Sequence, residues 1–208
     1  RESAYGTAEV AITGCTIQHN DRGPQSANIR IMGSSLPNTQ GRDVHEGHVT
    51  ITGNILSDVQ TNVWLDGCRG VTLTGNTFWM GFAHNLLIEN SSHIVVGANN
   101  FDRNPRYDYG HATEATNALV IRDSRDCTLQ GLHIALVGPQ VPGLLLERCD
   151  RFHVSGLTIL DCDIGLKLVD VRRSQFSDCM IRDDRSGQAT KRLVVVGGDD
   201  NQFDATLR

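Results

Sequence analysis

Five prolines in 208 residues are too few to interrupt many strands, whereas 21 glycines supply many tight corners. No apolar run approaches the roughly 20 residues of a membrane span, and no N-terminal stretch reads as a signal peptide. Lysine and arginine are nowhere clustered and the net charge is -5, which argues against a nucleic-acid or anionic-membrane surface as partner. Neither end carries an amphipathic capping helix of the kind that protects solenoid ends. Since the first residue is also Arg1 rather than Met, we expect a fragment or processed part of a larger protein.

What the chain does have is a repeat. Val63 to Phe78 reads VWLDGCRGVTLTGNTF, with alternating Val63/Leu65 and Val71/Leu73, Cys68 between them, a Gly75-Asn76 corner and an apolar stub at Phe78. The skeleton returns through Leu86, Ile88, Ser91, Ile94, Val96, Asn99 and Phe101, and again from Leu119, Leu144, Leu166 and Leu193. Upstream it opens at Ile29, resumes after an insertion at Val49, and is partial at Val10. That makes about eight coils with a period of 22 to 25 residues where no loop intervenes.

Short strands with period-two alternation at a fixed repeat bury their apolar residues only by stacking on neighbouring coils. Three strands per turn with a Gly-Asn corner predict an all-β right-handed parallel β-helix, one elongated domain over residues 1–208. On these residues the chain resembles the pectin-lyase-like β-helix superfamily, including the repeat domains of copper-processing and alginate-epimerase type proteins. The resemblance runs from Val10 to Phe203 and is specific for fold.

Asn54, Asn76 and Asn99 share one corner, where their amides predict a coil-to-coil ladder. Cys15 and Cys179 hold that same corner, and Cys68 and Cys149 hold the one occupied elsewhere by Ser34, Ser91 and Ser124. Coils stack at ~4.8 Å, so Cys68 and Cys149, three coils apart, are too distant to bridge. With no C-x-x-C pair, the six cysteines read as reduced and structural.

The second strand of each coil points mostly threonine, serine and glutamine outward, an ordinary solvated face. The first strand differs. Its middle outward row reads Arg30, Trp64, Leu87, Val120, Leu145, Lys167 and Val194, and contiguous exposed apolar area marks an interface or groove. The adjacent row reads Met32, Asp66, Glu89, Arg122, Glu147, Val169 and Val196. Two insertions flank this face: Ser35 to His48, with Asp43, His45, Glu46 and His48, and Asp102 to Ala118, with Arg103, Arg106, Tyr107, Asp108, Tyr109 and His111. Loops of that length in a compact fold are functional or disordered. They are expected to rise on either side of a trough floored by Trp64, Leu87 and Val120.

An acidic line of Asp66, Glu89 and Glu147 interrupted by Arg122 has three readings: a charge ladder that tolerates solvent, a site for Ca²⁺, or a pair that keeps one carboxyl protonated beside an ionised one. The His-Glu-Gly-His run at 45–48 lacks the two-residue gap that puts both imidazoles on one helical face. Arg103, Arg106, Tyr107, Tyr109 and His111 suit an anionic sugar, with ring faces to stack and guanidinium forks for carboxylates. The resemblance implies polysaccharide binding on the outer face of the first sheet, and Ca²⁺ held by carboxylates with an Arg or Lys base for β-elimination. Related hydrolases use aspartates in the turn entering that sheet, where this chain has Asp161 and Asp163.

The leading expectation is therefore a secreted, extracellular or periplasmic, carbohydrate-active domain that binds an acidic polysaccharide and cleaves it by Ca²⁺-assisted β-elimination. Asp66, Glu89 and Glu147 would hold the ion, Arg122 or Lys167 would take the proton, and Trp64 and Leu87 would underlie the sugar. A structural or adhesion solenoid that packs its apolar strip on a partner, on a second copy or on other parts of its own protein is the alternative. A glycoside hydrolase or epimerase using the Asp66/Glu89 pair is the third.

Overall fold

Period-two alternation gives each strand one apolar face, which is covered in the interior of the stacked coils, while its edges hydrogen-bond to the coils above and below. The computed structural model describes residues 9–20, 23–33, 46–103, 113–187 and 190–207. Among these, three parallel sheets of eight, seven and seven strands run the length of a right-handed β-helix. The first sheet contains Ala27–Met32, Val59–Asp66, Gly81–Glu89, Ala118–Arg122, Pro142–Glu147, Ile164–Val169 and Lys191–Val196. The second begins at Val10–Thr13 and ends at Gln202–Phe203, and the third runs from Thr16–Ile17 to Met180–Arg182.

Inward rows fill the interior. Val63, Leu86, Leu119, Leu144 and Leu166 form one column of the first sheet, each 1% exposed or less. In the third sheet Phe78 and Phe101 stack with ring centroids 4.5 Å apart, and in the second Phe176 stacks on Phe203 at 5.2 Å. All six cysteines are free thiols, five of them buried and Cys15 exposed.

The asparagine ladder is present. Asn54 donates from Nδ2 to Asn76 Oδ1 at 2.9 Å, and Asn76 donates to Asn99 Oδ1 at 2.9 Å. The same oxygens accept the backbone N–H of Asn54 and Asn76. Cys15 and Cys179 take this corner at the two ends, donating their backbone N–H to Asn54 Oδ1 and Thr206 Oγ1. A second ladder, unforeseen from sequence, runs through the first-sheet strands to Asn117, just before the Ala118–Arg122 strand. Asn28 donates to Asn62 Oδ1 at 2.7 Å, Asn62 donates to Asn85 Oδ1 at 2.8 Å, and Asn85 and Asn117 both accept from the Gly81 N–H.

The turn from the first to the second sheet repeats its own backbone signature. Two left-handed residues three apart recur as Gly67/Gly70, Asn90/His93, Asp123/Asp126, Arg148/Arg151 and Asp170/Arg173. Glycine meets that demand without strain, while aspartate and arginine meet it in the later coils. The first insertion is shorter than expected, because a second-sheet strand begins at Glu46 and pairs Glu46 and Gly47 with Cys68 and Arg69. His48 therefore belongs to a strand.

Candidate functional site

Four side chains from four successive coils are wired together on the outer face of the first sheet. Strand register sets them side by side: Arg30 is the direct partner of Trp64, Asp66 of Glu89, and Glu89 of Arg122. The Arg30 guanidinium lies over the Trp64 ring, 4.3 Å from its centroid. The indole Nε1–H donates to Glu89 Oε2 at 2.8 Å. Arg122 Nε donates to Glu89 Oε1 at 2.7 Å, and Arg122 Nη2 lies 2.6 Å from the same oxygen. Glu89 is thus held from both sides, its side chain 13% exposed against 41% for Arg122.

His84 belongs to the same patch and was not anticipated. Its strand shifts register beside it, against Ala118 on one side and Thr61 on the other, so alternation fails and Asn85, Leu86, Leu87 and Ile88 are buried in succession. His84 is half-buried, and its Nδ1 is buried without a hydrogen-bond partner among the described residues. Burial pushes the imidazole below its ordinary range, Arg122 adds to the shift and Glu89 opposes it, so the ring is neutral at pH 7. The only sequence signal was the broken alternation itself.

The expected trough floor needs correction. Leu87 is 5% exposed, so it is part of the packed structure rather than a wet apolar surface, while Trp64, Val120 and Leu145 are half-buried. One face of Trp64 is taken by Arg30, which with the Nε1–H bond to Glu89 fixes the indole. Arg103 follows the Asn100–Asp102 strand and is already engaged in an interaction. Arg106, Tyr107, Tyr109 and His111 lie outside the described residues, as do Asp43 and His45.

The carboxylates expected to share an ion have separate partners. Asp66 accepts from Asn90 Nδ2 at 2.8 Å. Glu89 is bound by Trp64 and Arg122, and Glu147 is ion-paired with Arg148. Arg122 sits in register between Glu89 and Glu147. Among the described residues no three His, Cys, Asp or Glu side chains gather closely enough to hold a metal ion. Lys167, between Leu145 and Val194 in the outward row, has no ion pair or hydrogen bond among the described residues.

The aspartates in the turn entering the first sheet are staples. Asp163 accepts from the Gln140 N–H at 2.8 Å and from Arg185 at 3.0 Å. Arg185 also grips Asp183 at 2.8 Å, and Thr190 Oγ1 donates to Asp183 at 2.7 Å. Asp161 accepts the Asp184 N–H at 2.9 Å. These bonds hold Asp163 and Asp183 below the usual carboxylate range, chiefly through the Gln140 N–H for the first and Arg185 for the second. The adjacent Asp183 and Asp184 of the following coil escaped the sequence reading.

A family model described as periplasmic copper-binding protein (NosD) matches residues 4–191. The chain belongs to the NosD family. No curated protein is similar enough to count as a match. Among solved structures, a putative glycosyl hydrolase from Parabacteroides merdae ATCC 43184 superposes with a TM-score of 0.53 at 10% identity, over 76% of this chain and 81% of that one. Likeness at that identity establishes the shared fold.

The copper in the NosD family description asks for thiolate, thioether or imidazole donors, and among the described residues no three His, Cys, Asp or Glu side chains gather to offer them. Burial pushes Cys127 up to about 11 and Cys149 up to about 12, and raises Cys162 and Cys179 as well. These thiols stay protonated at neutral pH. Met32 and Met180 are exposed on different sheets and Met80 is buried, so no soft-donor cluster forms among the described residues.

Proposed function

We propose that this NosD-family chain binds an acidic polysaccharide along the outer face of its first sheet, in a periplasmic or extracellular setting. The observation that carries the reading is the Arg30–Trp64–Glu89–Arg122 chain. An indole clamped by a cation on one face and a carboxylate at its N–H is preorganised, so binding costs it little rotamer freedom. Ring faces and edges suit sugar rings, and guanidinium forks suit carboxylates and hydroxyls. Arg122 spends Nε and Nη2 on Glu89 and retains Nη1 without a partner among the described residues.

Cleavage by Ca²⁺-assisted β-elimination is the narrower form of the proposal, and it has less support. Asp66, Glu89 and Glu147 would have to leave Asn90, Trp64, Arg122 and Arg148 to share one ion. Arg122 has two of its nitrogens committed to Glu89, and a guanidinium is a poor base in any case. If the face cleaves as well as binds, Lys167 is the alternative base, since its amine makes no hydrogen bond or ion pair among the described residues. The glycoside hydrolase or epimerase alternative keeps Asp66 and Glu89 as direct register partners, but Glu89 is already committed on both oxygens.

The packing solenoid has one observation in its favour. Val195 stands in an inward row beside Leu168 yet is 47% exposed, and Val196 is 52% exposed. That apolar surface lies at the opposite end of the sheet from Trp64, so the two readings separate by mutation.

Affinity electrophoresis through gels containing acidic polysaccharides tests the proposal. Retardation by at least one polymer is expected, with Trp64→Ala weakening it roughly ten-fold while the circular dichroism spectrum is unchanged. Equal retardation of wild type and variant, or none on any polymer, would refute it. Absorbance at 235 nm with Ca²⁺ and then with chelator decides the elimination step.

A further inference from the structure

At the turn from the first to the second sheet, Arg69, Ser92, Arg125, Asp150, Arg172 and Asp199 are successive bridge partners on neighbouring coils. In the later part of this ladder charge is cancelled coil by coil: Arg151 pairs with Asp126, Arg173 with Asp150 and Arg172 with Asp199. The earlier part, from Arg69 to Arg125, is not balanced in this way. Among the described residues the Arg69 guanidinium meets Ser92 and His93 and no carboxylate. Arg125 has Asp126 at 3.8 Å, beyond hydrogen-bond length, and that carboxylate is already held by Arg151.

His93 does not supply what Arg69 lacks. Nη1 and Nη2 of Arg69 face its Nδ1 and Nε2 at 2.8 and 3.2 Å. A neutral imidazole has one bare nitrogen, so one of these contacts sets N–H against N–H, and a protonated ring would make both of them so. Ser92 Oγ accepts from Arg69 at 3.3 Å, and its own proton has no acceptor among the described residues. Arg69, His93 and Arg125 are exposed, with Ser92 8% exposed between the two arginines. Donors therefore outnumber acceptors at this corner. The two arginines stand two coil steps apart, about 10 Å at ~4.8 Å per step, which leaves room for a small ion between their forks.

We propose that this corner binds a tetrahedral oxyanion, a phosphate or sulfate group, with Arg69 and Arg125 on either side, the Ser92 hydroxyl beneath and a His93 ring N–H at the edge. Such an ion turns its oxygens toward several donors at once, whereas a planar carboxylate is satisfied by a single guanidinium fork. With an oxyanion in place the Arg69 fork donates to oxygen, and the opposed N–H groups of Arg69 and His93 are relieved. The site lies at the turn rather than on the outward rows of the first sheet, so it stands or falls separately from the Trp64 face.

The test follows the imidazole ¹⁵N resonances of His93, assigned by the signal that His93→Gln removes, as anions are added at constant ionic strength. Inorganic phosphate and inorganic sulfate are expected to shift His93 saturably, and acetate to bind about ten-fold more weakly. Phenyl phosphate as tight as inorganic phosphate assigns the site to an esterified group, and weaker phenyl phosphate assigns it to the free ion. Arg69→Gln and Arg125→Gln should each weaken phosphate about ten-fold, whereas Arg172→Gln, on the compensated part of the same ladder, should leave it unchanged. No saturable shift of His93, acetate as effective as phosphate, or Arg172→Gln as damaging as Arg69→Gln would overturn the proposal. Trp64→Ala should leave phosphate binding intact, so failure of the polysaccharide reading and failure of this site are told apart.

Discussion

The coils up to the Ala118–Arg122 strand and the coils after it are held together by different chemistry. The earlier ones are joined at buried corners by asparagine amides: Asn54, Asn76 and Asn99 at one corner, and Asn62, Asn85 and Asn117 at another, all 5% exposed or less. The later ones are joined at the surface by arginine and aspartate. Arg148 donates to both oxygens of Asp123 at 2.6 and 2.8 Å, Arg151 donates to Asp126 at 2.6 Å, and Arg173 pairs with Asp150. A buried amide bond is shielded from salt and acid, while an exposed ion pair is exposed to both. The Arg30–Arg122 constellation sits on the amide-stapled coils.

The ladder ends for a visible reason. Asn117 Nδ2 is buried without an acceptor, and the next first-sheet strand opens with Pro142, which continues no amide column. From there onward the turns carry Asp123, Arg148, Arg151 and Arg173 in the left-handed conformation. These side chains pair across coils at the positions where glycine relieves the earlier turn at Gly67 and Gly70.

The largest expected effect is at the buried ladder. Asn76→Ala strands the Asn54 N–H and amide and the Ile51 carbonyl, and should cost about 3 kcal/mol or more in denaturant unfolding. A loss no greater than that of Arg148→Ala would erase the contrast between the two regions. Next comes Glu89→Gln, which weakens the grip on both Trp64 and Arg122 and should cost about 1–2 kcal/mol. Tryptophan emission should shift as the indole is released, and an unchanged spectrum would count against the clamp.

Acid should act on the two regions in sequence. His84 is pushed down by burial, so its contribution is complete above an ordinary imidazole value of ~6.5 and is lost as pH falls from there through the lowered folded value. Asp123 and Asp150 are held low chiefly by hydrogen bonds from Arg148 and Arg173. Their contribution is complete above ~4 and is lost only as pH falls through their depressed folded values. Hydrogen exchange followed from pH 7 downward should therefore show opening near His84 before the later turns, and the reverse order would contradict the assignment. The smallest effect is Arg148→Ala at neutral pH, because its ion pairs are solvent-exposed, and high salt should make it smaller still.

Fold was legible because a β-helix writes its register into the sequence: inward columns such as Val63/Leu86/Leu119 and the Asn76 corner recur at a near-constant period. Outward rows were legible for the same reason, and Arg30, Trp64, Leu87, Asp66, Glu89 and Arg122 stand beside the predicted neighbours. What side chains do once adjacent was not legible. Facing alone did not show that Glu89 would turn to the Trp64 N–H and Arg122 fork rather than toward Asp66, since long side chains choose among several partners within reach. His84 was hidden by the register shift beside it. The second ladder was hidden because Asn28, Asn62, Asn85 and Asn117 recur across an insertion that breaks the spacing.

The most direct test is a fluorescence titration of a Trp79→Phe variant, in which Trp64 is the remaining indole, with an acidic polysaccharide. The account predicts a saturable change in Trp64 emission that is lost when Arg122→Ala is added. A flat emission trace with a polymer that demonstrably binds the chain would place the sugar elsewhere and contradict it.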